Sequence, residues 1–379
     1  MECVFIKHGI AIKNEGILLP CCTFHSSNEY IQKYQVNNIN NIDSWRNGKE
    51  LSTIRNNFQN GQWSPECIRC QEIESKNRGD SVRLNGANSY SHYLDNDIVL
   101  EIRPGNTCNF ACQTCWPQAS SRVSKYYKDA EIEFNNIVDK NLNLDFLSDI
   151  KNQIKDIIIL GGEPFYDKKC LSFLKFITDS NLDSNIIIFT NGSVLDKNFL
   201  ENYPGKITLV FSIDAVGKPA EYIRFGTVWN DIIENYEYAK HLLNIEVRVN
   251  ITTSPYNYFY LYELVAWLLN DWPSVVSFSE AYSSAGRVLD ESIILPEHRS
   301  ALISKLEVTV ENLKLSTVEL GQKTNAINAI NSIILQLKKS NFNKSANLKF
   351  KQFVEKMDTV KGISINDYCP EVAETLSIK

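Results

Sequence analysis

Three cysteines fall within eight residues, Cys108, Cys112 and Cys115, on a stretch that directly follows the apolar run Ile98–Ile102. No other feature limits the fold as strongly. Three thiolates on one short loop can hold three irons of a [4Fe–4S] cube. The fourth iron is then without a protein ligand and can take a substrate or a cofactor. The chain has ten cysteines, at 3, 21, 22, 67, 70, 108, 112, 115, 170 and 369, and they cluster. Clustered cysteines in a chain of this size read as metal ligands sooner than as disulfides.

A loop of this kind needs a rigid frame, and the rest of the sequence describes one. Apolar runs rich in Val, Ile and Phe occur at Ile98–Ile102, Ile157–Leu160, Ile186–Phe189, Ile207–Ile213, Val247–Ile251 and Val275–Phe278. Amphipathic stretches such as Leu144–Ile154, Leu171–Thr178 and Trp229–Leu243 lie between them. Near-continuous apolar strands separated by helices indicate an α/β fold with a parallel sheet. Right-handed crossovers curl six such units into a partial (βα)6 barrel. Chemistry in barrels sits at the C-terminal ends of the strands. The reading gives four parts: a small N-terminal cysteine-rich unit over 1–75, a polar linker over 76–96, the barrel over 97–285, and a C-terminal helical segment over 286–379. In the first part, Val4–Ile6 and Gly16–Leu19 read as short strands, and a helix is expected near Trp45–Asn60. Residues 296–356 carry Leu, Ile and Val at helical spacing.

Composition narrows the class of protein. The 379 residues are 43% hydrophobic and 22% charged, as in ordinary soluble globular chains. No run of 18 apolar residues and no secretory signal pattern is found, so a cytoplasmic protein without a membrane partner is expected. The net charge of −6 argues against wrapping duplex nucleic acid. The aromatic run from Tyr256 to Trp267 has no Lys or Arg within it, so it reads as a half-buried helix face rather than a base-stacking platform.

The C-x3-C-x2-C triplet, with Trp116 after its last cysteine, resembles that of radical S-adenosylmethionine (SAM) enzymes. The family's usual aromatic position holds Thr114 here. The resemblance implies that SAM chelates the open iron through its amino and carboxylate groups. One electron, from a donor such as flavodoxin or ferredoxin, then cleaves SAM to methionine and a 5′-deoxyadenosyl radical, which takes a hydrogen atom from substrate. Gly161-Gly162-Glu163-Pro164, after the next apolar run, resembles the family's site for the SAM amino group. Ser212 and Asp214 resemble the pair that contacts the SAM ribose, and Arg224 an arginine near the SAM carboxylate. Thr190 and Asn191 belong to a strand-ending turn frequent in the family near the active site.

The N-terminal cysteines carry a second resemblance. Cys3, Gly16 and Cys21 are spaced C-x12-G-x4-C, and Cys67-x2-Cys70 follows after Trp45 and Arg55. The order is similar to the SPASM/twitch module of radical SAM enzymes, which implies a second, auxiliary [4Fe–4S] cluster on Cys3, Cys21, Cys67 and Cys70. In the family the module usually follows the barrel; here it precedes it. Four thiolates also suit a structural zinc ion, and spacing does not separate the two. Cys22 is an alternative to Cys21. Cys170 reads as structural and Cys369 as a tail thiol. The expected substrate is a peptide or protein side chain, undergoing oxidation, crosslinking or epimerisation. The alternatives are a small sugar or nucleotide and, in another class, a zinc-bearing binding or scaffold protein.

Overall fold

The apolar runs become strands in a computed structural model of the chain, which describes residues 1–38, 42–75, 81–135, 139–182, 184–281 and 289–378. In chain order they are β1 (Gly9–Ile12), β2 (Leu18–Leu19), β3 (Ile98–Ile102), β4 (Ile154–Ile159), β5 (Asn185–Thr190), β6 (Ile207–Ser212), β7 (Ile245–Thr253) and β8 (Val275–Glu280). The fold class is the expected one, a mixed α/β fold with helices between successive strands from β3 onward.

The chain divides into two compact units. The first is Met1–Asn106, Ile137–Ile188 and Asn202–Ile207. In it β1 pairs in parallel with β3, in the register Gly9↔Val99 to Ile12↔Ile102, while β2 runs antiparallel to β1. Strand β3 pairs in parallel with β4, and β4 with β5. All four residues of β1 are buried, as are Ile98, Val99, Leu100 and Ile102 of β3. Continuous burial of this kind belongs to a parallel sheet covered on both faces.

Three expectations are corrected here. Val4–Ile6 is part of a helix, Val4–His8, and the strand begins one turn later at Gly9. A short apolar run does not by itself separate helix from strand. The stretch 76–96, expected as linker, holds the helix Val82–Tyr90, capped by Ser81, whose hydroxyl accepts the Leu84 N–H at 3.2 Å. Residues 76–80 and the barrel boundary at 285 lie outside the described residues. Leu144–Ile154 forms only a short helix, Leu147–Ile150, and one 3-10 turn, Lys151–Gln153, before Ile154 enters β4.

The second unit is Thr107–Asn136, Phe189–Glu201 and Thr208–Lys379. Strands β7 and β8 pair in parallel from Arg248↔Val275 to Thr253↔Glu280, and the Ile213 N–H just past β6 donates to Asn250 O on β7 at 3.1 Å. The C-terminal segment is helical as expected, with Pro296–Leu315, Leu320–Lys339 and Lys344–Lys361. The aromatic run is more buried than expected, with Tyr256, Tyr258, Phe259 and Tyr260 all in the core. The last long helix packs Phe353 and Met357 against Ala111 and Tyr127, with Cys115 at the edge of that cluster.

Asp358 of this helix is buried. Its Oδ1 accepts the Tyr222 O–H at 2.8 Å and its Oδ2 the Ile365 N–H at 2.7 Å. Burial pushes the Asp358 carboxyl up to about 6 from 3.8, while Tyr222, Ile365 and Lys361 pull the other way. The folded chain therefore holds this proton more tightly than the unfolded chain does. The group withdraws stability as pH rises from about 4 to about 6, and the loss is complete above that window. In urea titrations, the stability of wild type minus that of Asp358→Asn should fall across this window and level off above pH 6. A difference that does not change with pH would mean that the carboxyl ionises as it does unfolded.

Candidate functional site

The cysteine triplet lies on an irregular loop that leads into the helix Ser121–Asp129, and the loop's backbone is secured at several points. Ser120 caps that helix by accepting the Val123 N–H, and its hydroxyl donates to Phe110 O at 3.1 Å. The Ala111 N–H donates to Phe225 O at 2.8 Å and the Gln113 N–H to Ile223 O at 2.7 Å. These two bonds bracket Cys112 on one side and Arg224 on the other. Arg224 Nη1 accordingly lies 4.0 Å from Cys112 Sγ. Burial pushes the Cys112 thiol up, and the charges of Arg224 and Lys361 lower it in part.

Arg224 is itself held by charge. Its Nε lies 2.8 Å from Asp214 Oδ2, an ion pair whose angle does not make a hydrogen bond. Burial alone would lower the arginine, but Asp214, Cys112 and Cys115 raise it on balance. Asp214 is fully buried, and its Oδ1 accepts the Thr252 N–H at 2.7 Å. Asp214, which the resemblance assigns to a ribose, is thus engaged with Arg224 and with backbone. Ser212, at the end of β6, is half-buried.

The turn after β5 reaches the first cysteine. Asn191 Nδ2 donates to Asn109 Oδ1 at 2.9 Å and lies 4.0 Å from Cys108 Sγ. Asn191 Oδ1 accepts from the Ser193 N–H and O–H, and Asn109 Nδ2 donates to Ser193 Oγ. The buried Thr190 hydroxyl accepts the Gly192 N–H at 3.0 Å. Gly192 sits at φ +77°, and a Cβ there would lie 2.7 Å from the Phe211 ring, so only glycine fits.

In the first unit, Gly161-Gly162-Glu163-Pro164 follows β4. Glu163 is buried and its Oε1 accepts the Phe165 N–H at 3.3 Å. Gly161 leaves room for protein atoms: a Cβ there would lie 3.0 Å from Gly105 O and 3.2 Å from Cys170 Sγ. Cys170 is buried on the helix Lys168–Asp179, in keeping with a structural thiol.

The four N-terminal cysteines come together in the same unit. Cys3, Cys21, Cys67 and Cys70 line one small cavity with Phe5 and Phe58. The Thr23 hydroxyl lies 3.6 Å from Cys21 Sγ and 3.9 Å from Cys70 Sγ. Burial pushes Cys21 up to about 12, with further elevation from Cys3 and Cys70. Burial raises Cys67 and Cys3 as well, and neighbouring cysteines add to both. Thiols that resist ionisation because they face one another in an apolar cavity are a donor set that a cationic centre would satisfy. Among the described residues, no group of three His, Cys, Asp or Glu is arranged to hold a single metal ion. Cys22 points elsewhere. It hydrogen-bonds the Glu101 side chain and is raised by burial and by that carboxylate.

Sequence reasoning missed Lys361. It is buried, and its Nζ donates to Ala111 O at 2.9 Å and to Gln113 Oε1 at 3.0 Å. Arg122, which donates to Asn109 O, was missed too. Neither carries a local motif. Cys369 is buried where two short helices meet, beside Tyr260, not a loose tail thiol.

If Asp214 anchors Arg224, Asp214→Ala leaves a buried cation without its partner. Stability should fall by about 3–5 kcal/mol in denaturant melts, while Ser212→Ala should stay within about 0.5 kcal/mol of wild type. A mild Asp214→Ala would return Asp214 to the role of a ligand contact.

Comparison with known proteins places this geometry in context. Residues 105–216 match the family model described as a 4Fe-4S single cluster domain. The GTP 3′,8-cyclase of Campylobacter jejuni subsp. doylei is 29% identical over 157 residues, 41% of this chain and 46% of its own length. The enzyme of the same name from C. jejuni subsp. jejuni matches to the same extent. The chain therefore spans about half the length of the curated relatives it matches. Among solved structures, Streptococcus suis SuiB bound to S-adenosylmethionine covers 64% of this chain and 50% of its own, at 17% identity and a TM-score of 0.36. Native anSMEcpe with bound AdoMet and the Kp18Cys peptide covers 57% and 61%, at 15% identity and a TM-score of 0.43. No described helix is long and apolar enough to cross a membrane. The stretch that carries the cysteine triplet is thus similar to the 4Fe-4S single cluster domain.

Proposed function

We propose that this protein is a radical SAM enzyme, with its SAM-binding [4Fe–4S] cluster on Cys108, Cys112 and Cys115 and an auxiliary cluster on Cys3, Cys21, Cys67 and Cys70. The observation that carries the reading is the cysteine loop itself. Backbone bonds on both sides of Cys112, Asn191 near Cys108 Sγ, and Arg224 near Cys112 Sγ hold three sulfurs on a fixed loop beside positive charge. Sulfur ligands of an iron cluster need such orientation and hydrogen bonding. When bound, the cluster and SAM supply one-electron cleavage of SAM to methionine and a 5′-deoxyadenosyl radical, which removes a hydrogen atom from substrate.

The chain's own residues would bind and orient. Glu163 is the candidate for the SAM amino group, on a turn with Gly161, Gly162 and Pro164. Thr190 and Asn191 would shape the site next to Cys108, and Ser212 and Asp214 are the candidate ribose contacts. Arg224, held by Asp214, would place positive charge toward Cys112. The electron would come from a flavodoxin- or ferredoxin-type donor. The cavity shared by four cysteines supports an auxiliary cluster in the 1–75 part.

The substrate we favour is a peptide or protein side chain, on the twitch-like order of the N-terminal cysteines. A nucleotide is the second reading, and the names of the curated relatives favour it, since GTP 3′,8-cyclases match this chain at 29% identity.

Anaerobically reconstituted protein should carry roughly eight irons, four for each cube, and should release 5′-deoxyadenosine and methionine when reduced with SAM. Cys112→Ala should abolish release. Cys67→Ala should lose about half the iron yet keep slow release. Undiminished release in Cys112→Ala, or stoichiometric zinc with one cluster in wild type, would overturn the corresponding assignment. Glu163→Gln should weaken SAM binding about tenfold to a hundredfold, because a charge-assisted hydrogen bond contributes about 1.5–3 kcal/mol. Stimulation of release by GTP would favour the nucleotide reading.

A further inference from the structure

Lys361 closes the helix Lys344–Lys361, just before Gly362 at φ +67°. Its Nζ is buried against the cysteine loop, bonded to the backbone of Ala111 and the side chain of Gln113, the two residues that flank Cys112. The Phe225 and Tyr126 rings lie 5.1 and 5.9 Å from the ammonium, so aromatic faces line its surroundings. Asp358, one turn earlier on the same helix, directs its two oxygens to Tyr222 and Ile365. Phe353 and Met357 press the same helix onto Ala111. Lysine is almost never fully buried unless it is paired, and here the Ala111 carbonyl and the Gln113 side chain accept from it.

We propose that Lys361 is a positioning residue for the cysteine loop, and that its charge raises the reduction potential of the cluster held by Cys108, Cys112 and Cys115. The proposal rests on the reading that this loop carries a [4Fe–4S] cluster. One-electron reduction adds a negative charge to the cluster. A cation fixed nearby in a low-dielectric setting favours the reduced form, and charge and hydrogen bonding around the sulfurs are the levers a protein has on such potentials. The C-terminal helix thereby sets how readily the loop accepts its electron from the external donor.

The test is an anaerobic redox titration of the full-length, reconstituted protein followed by electron paramagnetic resonance. A Cys108→Ala, Cys112→Ala, Cys115→Ala variant identifies the auxiliary signal. Lys361→Met keeps length and loses charge; Lys361→Arg keeps charge. Iron content is measured on each. The expected result is a lower midpoint in Lys361→Met than in wild type, restored in Lys361→Arg, with iron unchanged. A wild-type midpoint in Lys361→Met, or an Arg variant that titrates with the Met variant, overturns the proposal. If Lys361→Met loses the triplet's iron, Lys361→Arg decides. Retained iron at the wild-type potential supports the proposal, and loss in both variants overturns it, because size rather than charge is then what the loop needs. Wild-type protein without triplet iron defeats the cluster reading itself, which is a separate result.

Discussion

Burying positive charge beside sulfur is the interaction on which the second unit is organised. Arg224 reaches Cys112 only because Asp214 neutralises it in the interior and because two backbone bonds set the Ile223–Phe225 segment against the loop. An uncompensated arginine at that depth would cost several kcal/mol. Asp214 in turn is oriented by the Thr252 N–H and, through its backbone oxygen, by Asn257 Nδ2 at 3.0 Å. Strand ends, ion pair and cysteine loop form one connected arrangement, and a change in any part is felt at the sulfurs.

The two cysteine groups solve the same problem differently. Around the triplet, cations and amides face the sulfurs: Arg224 toward Cys112 and Asn191 toward Cys108. In the N-terminal cavity the sulfurs share walls of Phe5, Phe24, Phe58 and Trp63 with one another, the Thr23 hydroxyl lies near Cys21 and Cys70, and Arg83 and Glu66 also line the cavity. In the N-terminal group burial raises the thiols of Cys3, Cys21 and Cys67.

What could be read from the sequence was what repeats or clusters. The strands from Ile98 to Phe278 were legible because their apolar runs alternate with helical stretches. The cysteines were legible because spacing alone groups them. Val4–Ile6 misled because three apolar residues carry no period. The helix Val82–Tyr90 was hidden by its Gly and Asn residues, although Ser81 is an ordinary cap. Asp214 reads as a ligand contact from its place at a strand end, and its ion pair with Arg224, ten residues on, shows only in the packing. Lys361 lies 246 positions beyond Cys115 (361 minus 115), and nothing local distinguishes it from the surface lysines of the same helix.

The parallel pairing of β1 with β3 has a consequence for the order of events during synthesis. Gly9 aligns with Val99, so ninety residues (99 minus 9) separate adjacent positions in one ladder. Such a contact has a large loop-closure cost and forms late. As the chain leaves the ribosome from its N-terminus, β1 has no parallel partner until β3 has emerged. Val82 and Arg83, which complete the wall of the cavity, also come after all four of its cysteines. Those four thiols therefore leave the ribosome before the wall that encloses them is complete, and a metal centre held there would have to reach them either as open ligands on a nascent chain or through a cavity that has already closed.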